Sequence, residues 1–235
     1  MTQQALSPTP RSTIHRGKNR AVTDRSALYA VLDAGLICHL AFVAGSGDSA
    51  APIVIPTGYG RSGDTLYVHG STGAASLRAA AEGAEVCVNV TLLDGVVYSR
   101  AVFHHSVNYR SATVHGVARQ LTGREERLAA LAVITNHIAP GSWDYAREPS
   151  KQELAKTAVL ALDLAEAAVK IRAGGPGEEP DDLLPENNGK AWAGVLPLHR
   201  AWGEPVPDPD LPPGVAVPAH ITTRPVPYET RDSRG

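Results

Sequence analysis

Two stretches of the chain carry side chains suited to holding and acting on a ligand. The first is Leu66-Tyr67-Val68-His69-Gly70-Ser71-Thr72-Gly73, which runs into an Ala-rich segment ending at Glu82-Gly83. Strand-type residues give way to glycines and hydroxyls ahead of a helix. The first N–H groups of a helix lack partners and carry partial positive charge, so such a junction takes phosphate. Ser71 and Thr72 add hydroxyl donors, and Arg78 adds a charge about a turn into the helix. The same residues also make an ordinary N-cap. His69 ends the strand, where an imidazole can hydrogen-bond a ligand, ligate haem iron or simply support the structure.

The second stretch is Tyr98-Ser99-Arg100-Ala101-Val102-Phe103-His104-His105-Ser106-Val107-Asn108-Tyr109-Arg110-Ser111. Arg100 and Arg110 supply planar donor forks that suit phosphate and ring carbonyls. Asn108 and Ser111 add polar contacts, and Tyr109 and Phe103 can wall a flat ring. A polar loop followed by a solvated strand face is the plainer account of the same residues. His104 and His105 are adjacent, so on a strand they diverge to opposite faces. Neither H-E-x-x-H nor C-x-x-C occurs, and no metal centre is expected. Farther on, alternation places Lys170 and Arg172 on one face of a strand, either toward an anion or as a polar outer surface. Trp192 stands among small residues in Ala191-Trp192-Ala193-Gly194, where it either covers a cofactor or plugs an apolar gap. No G-x-S-x-G elbow, Walker loop or G-x-G-x-x-G fingerprint is present.

These residues need a scaffold, and the pattern between them is mostly β. A helix capped at Thr23 with Leu28, Val31 and Leu32 on its apolar face closes at Gly35. Strands are expected over 36–44, 51–55 and 65–69, the last entered through a Gly63-Asp64 hairpin. A helix over 73–82, a strand over 85–92, a turn at Asp94-Gly95, a strand over 96–102 and a long alternating strand over 109–121 follow. Thr122 opens an amphipathic helix over 123–138 with Leu128, Leu131, Ile134 and Ile138 inward. Strands over 157–164 and 168–172 close the set. Six or seven antiparallel strands joined by short turns point to a closed or half-closed barrel with flanking helices. Residues 1–19 form a polar segment that is mobile until it docks. The barrel domain covers residues 20–174. A Pro- and Gly-rich arm over residues 175–235 packs on the barrel or crosses to another subunit.

The bulk numbers narrow the function classes. The chain has 235 residues, 43% of them hydrophobic, and a formal charge of −2. Neither nucleic acid nor a membrane surface is an expected partner. There is no N-terminal apolar h-region and no long apolar run, so neither a secretory signal nor a membrane span is expected. Cys38 and Cys87 both sit in apolar runs and read as small buried hydrophobes of a reducing, cytoplasmic compartment; a disulfide between them stays open.

Taken in order, Tyr67-Val68-His69-Gly70-Ser71-Thr72-Gly73, Phe103-His104-His105-Ser106-Val107-Asn108-Tyr109-Arg110-Ser111, Lys170-Ile171-Arg172-Ala173-Gly174-Gly175-Pro176 and Trp192-Ala193-Gly194-Val195-Leu196-Pro197 resemble the pyridoxamine 5′-phosphate oxidase-like family. The similarity is to its flavin-nucleotide-binding, nitroimidazole-resistance-like branch, and covers residues 16 to 200. The resemblance implies a mainly β split barrel forming a homodimer, with FMN in clefts touched by both chains and a small-molecule substrate. It makes His69 the active-centre residue and a candidate haem ligand, and favours Ser71 and Thr72 as phosphate contacts, to which the helix-terminus reading adds Arg78. It makes Arg100, Asn108, Tyr109, Arg110 and Ser111 candidates for the flavin wall and likens the Trp192 segment to the tryptophan-glycine element near the end of the fold; Lys170, from the strand alternation, and Trp192 complete the candidate cofactor contacts. Haem and deazaflavin are the alternative cofactors. The function so implied is an FMN-binding oxidoreductase; the alternative is a non-catalytic flavin or haem carrier or sensor. The Ser-Arg-Lys cluster and the C-terminal Arg-x-His of the vitamin-making oxidases are missing, which argues against their substrate.

Overall fold

The computed structural model describes residues 5, 6, 9–74 and 83–226. The expected helix over 73–82, and Arg78 with it, falls mostly outside that range. Among the described residues ten strands form one antiparallel sheet, ordered β1-β9-β6-β5-β2-β3-β4-β8-β7, with β10 on β5. The seven strands of six residues or more are β2 (Ile37–Ala44), β3 (Ala51–Ser62), β4 (Thr65–Ser71), β5 (Glu85–Tyr98), β6 (Ser106–Val117), β8 (Thr157–Asp163) and β9 (Ala167–Arg172). The short ones are β1 (Ala21–Val22), β7 (Arg119–Gln120) and β10 (Gly194–Pro197). The sheet curls into a mainly β barrel that stays open, as a split barrel does.

Two apolar cores lie on its two sides. The inner one gathers Leu40, Leu66, Val68, Val88, Val90 and Val114 beneath α1 (Arg25–Ala34). The outer one packs Leu131 and Ile134 of α2 (Arg124–Ile138) on Val159 and Ala161, with Leu128 and Ile138 at its rim. β8 runs between them, and its five central residues are all buried. This two-sided burial explains why Ala158-Val159-Leu160-Ala161-Leu162 shows no alternation.

Three local expectations need correction. Asp24, not Thr23, caps α1, its carboxylate accepting from the Ser26 amide at 2.9 Å. Gly123, not Thr122, precedes α2. Asp94-Gly95 is not a turn, because β5 continues through it to Tyr98. The register against β6 shifts between Leu93 and Gly95, the mark of a β-bulge. The bulge changes phase: Val86, Val88, Val90 and Leu92 are buried before it, and Val97 after it. A turn-type Asp-Gly pair suits a bulge equally well, and twelve residue pairs with β6 decided between the two.

α1 and α2 both close on the sheet at glycines. A Cβ on Gly60 would stand 2.8 Å from backbone atoms of α2, at the Val133 carbonyl and the Ile134 Cα. At the end of α1, the Tyr59 hydroxyl donates to the Leu32 carbonyl, with the Gly35 carbonyl at 3.1 Å. His137 of α2 donates to that same Gly35 carbonyl at 2.6 Å.

The N-terminal segment is docked. Leu6 joins the inner core, and Arg11 pairs with both Glu85 and Glu166. In the C-terminal segment β10 lies on β5, and Arg224 reaches the Ile138 carbonyl at the end of α2. Cys38 is buried and Cys87 half-buried, and both are free thiols. No described helix is long and apolar enough to cross a membrane.

Gly60→Ala forces backbone against backbone, so it should lower the unfolding free energy by about 1–3 kcal/mol. Gly175→Ala, with open space at its Cβ, should stay within about 0.5 kcal/mol. Urea unfolding followed by circular dichroism measures both.

Candidate functional site

His69 and Ser71 follow Tyr67 on one face of β4, opposite the buried Leu66 and Val68. β4 pairs with β8, placing His69 against Val159 and Ser71 against Thr157. His69 helps line a pocket of about 130 Å³ with Leu40, Ile55, Pro56, Thr57, Gly70 and Ala74. Its Nδ1 is buried and has no hydrogen-bond partner among the described residues, a rare state for a buried ring nitrogen. Burial pushes the imidazole pKa below its ordinary value, so His69 is neutral at neutral pH. A neutral imidazole with an unmet nitrogen is the form that ligates iron or hydrogen-bonds a polar ring.

Beyond His69 the chain turns outward. Ser71 Oγ accepts from the Gly73 amide at 3.2 Å, and the Thr72 amide donates to the Lys156 carbonyl at 2.9 Å. Ser71 therefore caps a turn, and both Ser71 and Thr72 are exposed beside the pocket. A pocket of about 130 Å³ is smaller than the roughly 300–1,000 Å³ of sites that enclose drug-sized ligands. The described walls thus enclose less space than such a ligand needs.

The second stretch divides by phase. Asn108 is buried, and its amide donates to the Gly174 carbonyl at 3.1 Å. Arg110 is held by Asp94 at 2.8 and 3.0 Å, so the bulge residue of β5 orients that guanidinium. Tyr109 and Ser111 point to the opposite, outward face, where they pair with Arg172 and Lys170 of β9. Arg100 is held by Glu178 at 2.8 Å and Asn188 at 2.9 Å. Trp192 sits on Gly194, 5.7 Å from the Tyr98 ring. The described chain therefore groups His69, Ser71 and Thr72 in one place, and Tyr109, Ser111 and Lys170 in another. The residues that hold Arg100 and Arg110 went unnoticed in the sequence. Asp94 was legible only as a turn former, and Glu178 lies in a Pro- and Gly-rich stretch with no local pattern pointing to Arg100.

An open antiparallel barrel with a histidine-lined pocket at the end of β4 defines a split-barrel protein. The pyridoxamine 5′-phosphate oxidase family model matches residues 24–171, and the chain belongs to that family. Among solved structures it is similar to the flavocytochrome Anf3 from Azotobacter vinelandii, at 30% identity over 93% of this chain and 98% of that one, with a TM-score of 0.83. It is similar to the FAD and haem binding protein from Mycobacterium smegmatis, at 35% identity over 87% and 96%, with a TM-score of 0.79. A candidate 5-nitroimidazole antibiotic resistance protein from Bacteroides thetaiotaomicron shares the fold at 19% identity over 64% and 86%, with a TM-score of 0.55. No curated protein matches the chain.

The neutral state of His69 has a measurable consequence. Burial lowers the pKa of both His69 and His137, so in acid the unfolded chain binds more protons than the folded one. Their contribution is fully present above the ordinary imidazole value of about 6.5 and is lost as pH falls below it. Urea midpoints should therefore drop from about pH 7 to about pH 5. His69→Gln and His137→Gln should each shallow the slope, and an unchanged slope in both would contradict the assignment.

Proposed function

We propose that the chain is a cytoplasmic flavin-dependent oxidoreductase that also binds haem, working as a homodimer on a small-molecule substrate. The observation that carries this reading is the buried, unpartnered Nδ1 of a neutral His69 in a pocket beside exposed hydroxyls and amides. Two relatives support it. One is a flavocytochrome and the other binds FAD and haem, and both match nearly the whole chain at 30% identity or more. When bound, a flavin supplies hydride or electron chemistry and a haem supplies one-electron chemistry.

The protein's own part is to bind and orient. His69 offers a neutral imidazole as haem ligand or flavin contact. Ser71 and Thr72 present hydroxyls to a phosphate; Arg78, outside the described residues, is the cation proposed from the sequence to join them. Asn108, Arg110 and Tyr109 supply polar and aromatic surface, with Asp94 holding the Arg110 plane fixed. The small volume at His69 supports completion of the cleft by a second chain. The apolar side chains exposed on the outward face of β2 and β3, Ile37, Val43 and Val54, give that chain a surface to cover.

A non-catalytic flavin or haem carrier is the second reading. It is favoured by the absence, among the residues around the pocket, of a paired general acid and base.

The purified protein should show a saturable flavin spectrum with FMN or FAD, and a Soret band on haem titration that His69→Ala abolishes. No flavin binding would end the proposal. An unchanged Soret band in His69→Ala would remove His69 as the ligand. Flavin binding without reduction by a nicotinamide donor would decide for the carrier.

A further inference from the structure

A second pocket, of about 300 Å³, lies under the N-terminal segment at the β1–β9 end of the sheet. Leu6, Ile14, Ala21, Val22, Ala167 and Val169 give it mostly apolar walls. It shares no lining residue with the His69 pocket. The segment that closes it on one side is pinned at three points. Leu6 enters the inner core, and its amide donates to the Thr23 carbonyl at 2.7 Å. The Arg11 guanidinium forks onto Glu166, at 2.9 Å from Nε and 2.6 Å from Nη2, and also reaches Glu85. The Lys170 ammonium donates to the Arg16 carbonyl at 3.0 Å. These bonds fix the strap and leave space behind it.

The hydroxyls of the strap are already engaged. Ser12 Oγ accepts from the Thr9 amide at 2.7 Å, and the Thr13 hydroxyl donates to the Thr9 carbonyl at 2.6 Å. The acids close by in the chain or bonded to the strap are engaged as well. Arg11 takes Glu85 and Glu166, and the Asp24 carboxylate accepts from the Ser26 amide. No carboxylate stands among the described lining residues, and Lys18 is the one cation there. Lys18 is exposed and makes no ion pair with a described carboxylate. An apolar slot with a single cation at its edge complements a molecule with an apolar tail and one negative charge. A doubly charged head would keep one charge uncompensated beside apolar walls. Water occupies about 30 Å³ in the liquid and a methylene is of similar size, so about ten such groups fill the pocket.

We propose that this pocket binds a single-tailed carboxylic acid of about eight carbons, its tail between the N-terminal strap and β1–β9 and its carboxylate on the Lys18 ammonium. Burial of the tail supplies most of the affinity, and the charge-assisted bond to Lys18 selects the acid over a neutral analogue. The site stands apart from the His69 pocket and does not rest on the flavin or haem reading.

The test is calorimetric titration of the full chain with straight-chain acids from hexanoate to dodecanoate, below their micelle concentrations, and with octan-1-ol. The dissociation constant should fall about fourfold per added methylene and level off once the pocket is full. Lys18→Ala should weaken octanoate about threefold or more and leave octan-1-ol unchanged, while Lys18→Arg keeps octanoate binding. Ile14→Ser should weaken both ligands. Circular dichroism checks the fold of each variant, and the exposed Lys18 carries the test alone if Ile14→Ser does not fold. No saturable octanoate binding, or none that depends on chain length, would overturn the proposal. So would octan-1-ol binding as tightly as octanoate, or octanoate binding indifferent to Lys18→Ala, since the acid would then sit elsewhere. Loss of octanoate binding in His69→Ala would move the ligand to the other pocket and end the assignment. Dissociation of a dimer by Lys18→Ala in sedimentation would end it too, because the pocket would then belong to an interface between copies.

Discussion

The pairing register of β5 with β6 is the constraint on which the rest depends. It runs from Glu85 opposite Val117 to Val97 opposite Ser106, with one shift at Asp94. Side chains alternate with a period of two, so a slip by one residue would send every inward group outward. This register puts Val88, Val90, Ala112 and Val114 in the core and leaves Tyr109 and Ser111 outside. The bulge then uses its extra residue twice: Asp94 grips Arg110, and the change of phase turns Tyr98 to the surface.

The charges in the chain fall into two groups. Arg61 is tied to Asp33, Arg100 to Glu178 and Arg110 to Asp94, each guanidinium fixed by a carboxylate. Such pairs orient side chains more than they stabilise, because desolvation offsets much of the attraction. Lys170 has no such partner among the described residues, its ammonium donating instead to the Arg16 carbonyl. A protein with little net charge can still present a local field when its acids and bases are segregated in this way.

His69 owes its character to depth. β4 and β8 pass between two cores, and the ring at the end of β4 is partly withdrawn from water beside Leu40, Ile55 and Val68. Low polarity keeps it neutral, and its Nδ1 makes no hydrogen bond with any described residue. Chemistry at such a residue comes from packing rather than from a charged neighbour.

Much of this was legible in the residues themselves. Alternation marked the main strands, the 3.6 period marked α1 and α2 with their buried Leu28, Val31, Leu131 and Ile134, and the Tyr-x-His-Gly and H-H-S-x-N-Y-R-S runs led to the split-barrel family. These are local signals, set by the period of side chains along one element. Tertiary structure decided what periodicity cannot carry. Whether Asp94-Gly95 turned or bulged depended on pairing across β6. Whether Arg100 and Arg110 stayed available depended on carboxylates 78 and 16 residues away in sequence. That Lys170 and Arg172 stand opposite Ser111 and Tyr109 follows from strand order, which brings distant segments together. A residue's type fixes what it can donate or accept, but only its neighbours in space determine whether that capacity is already engaged.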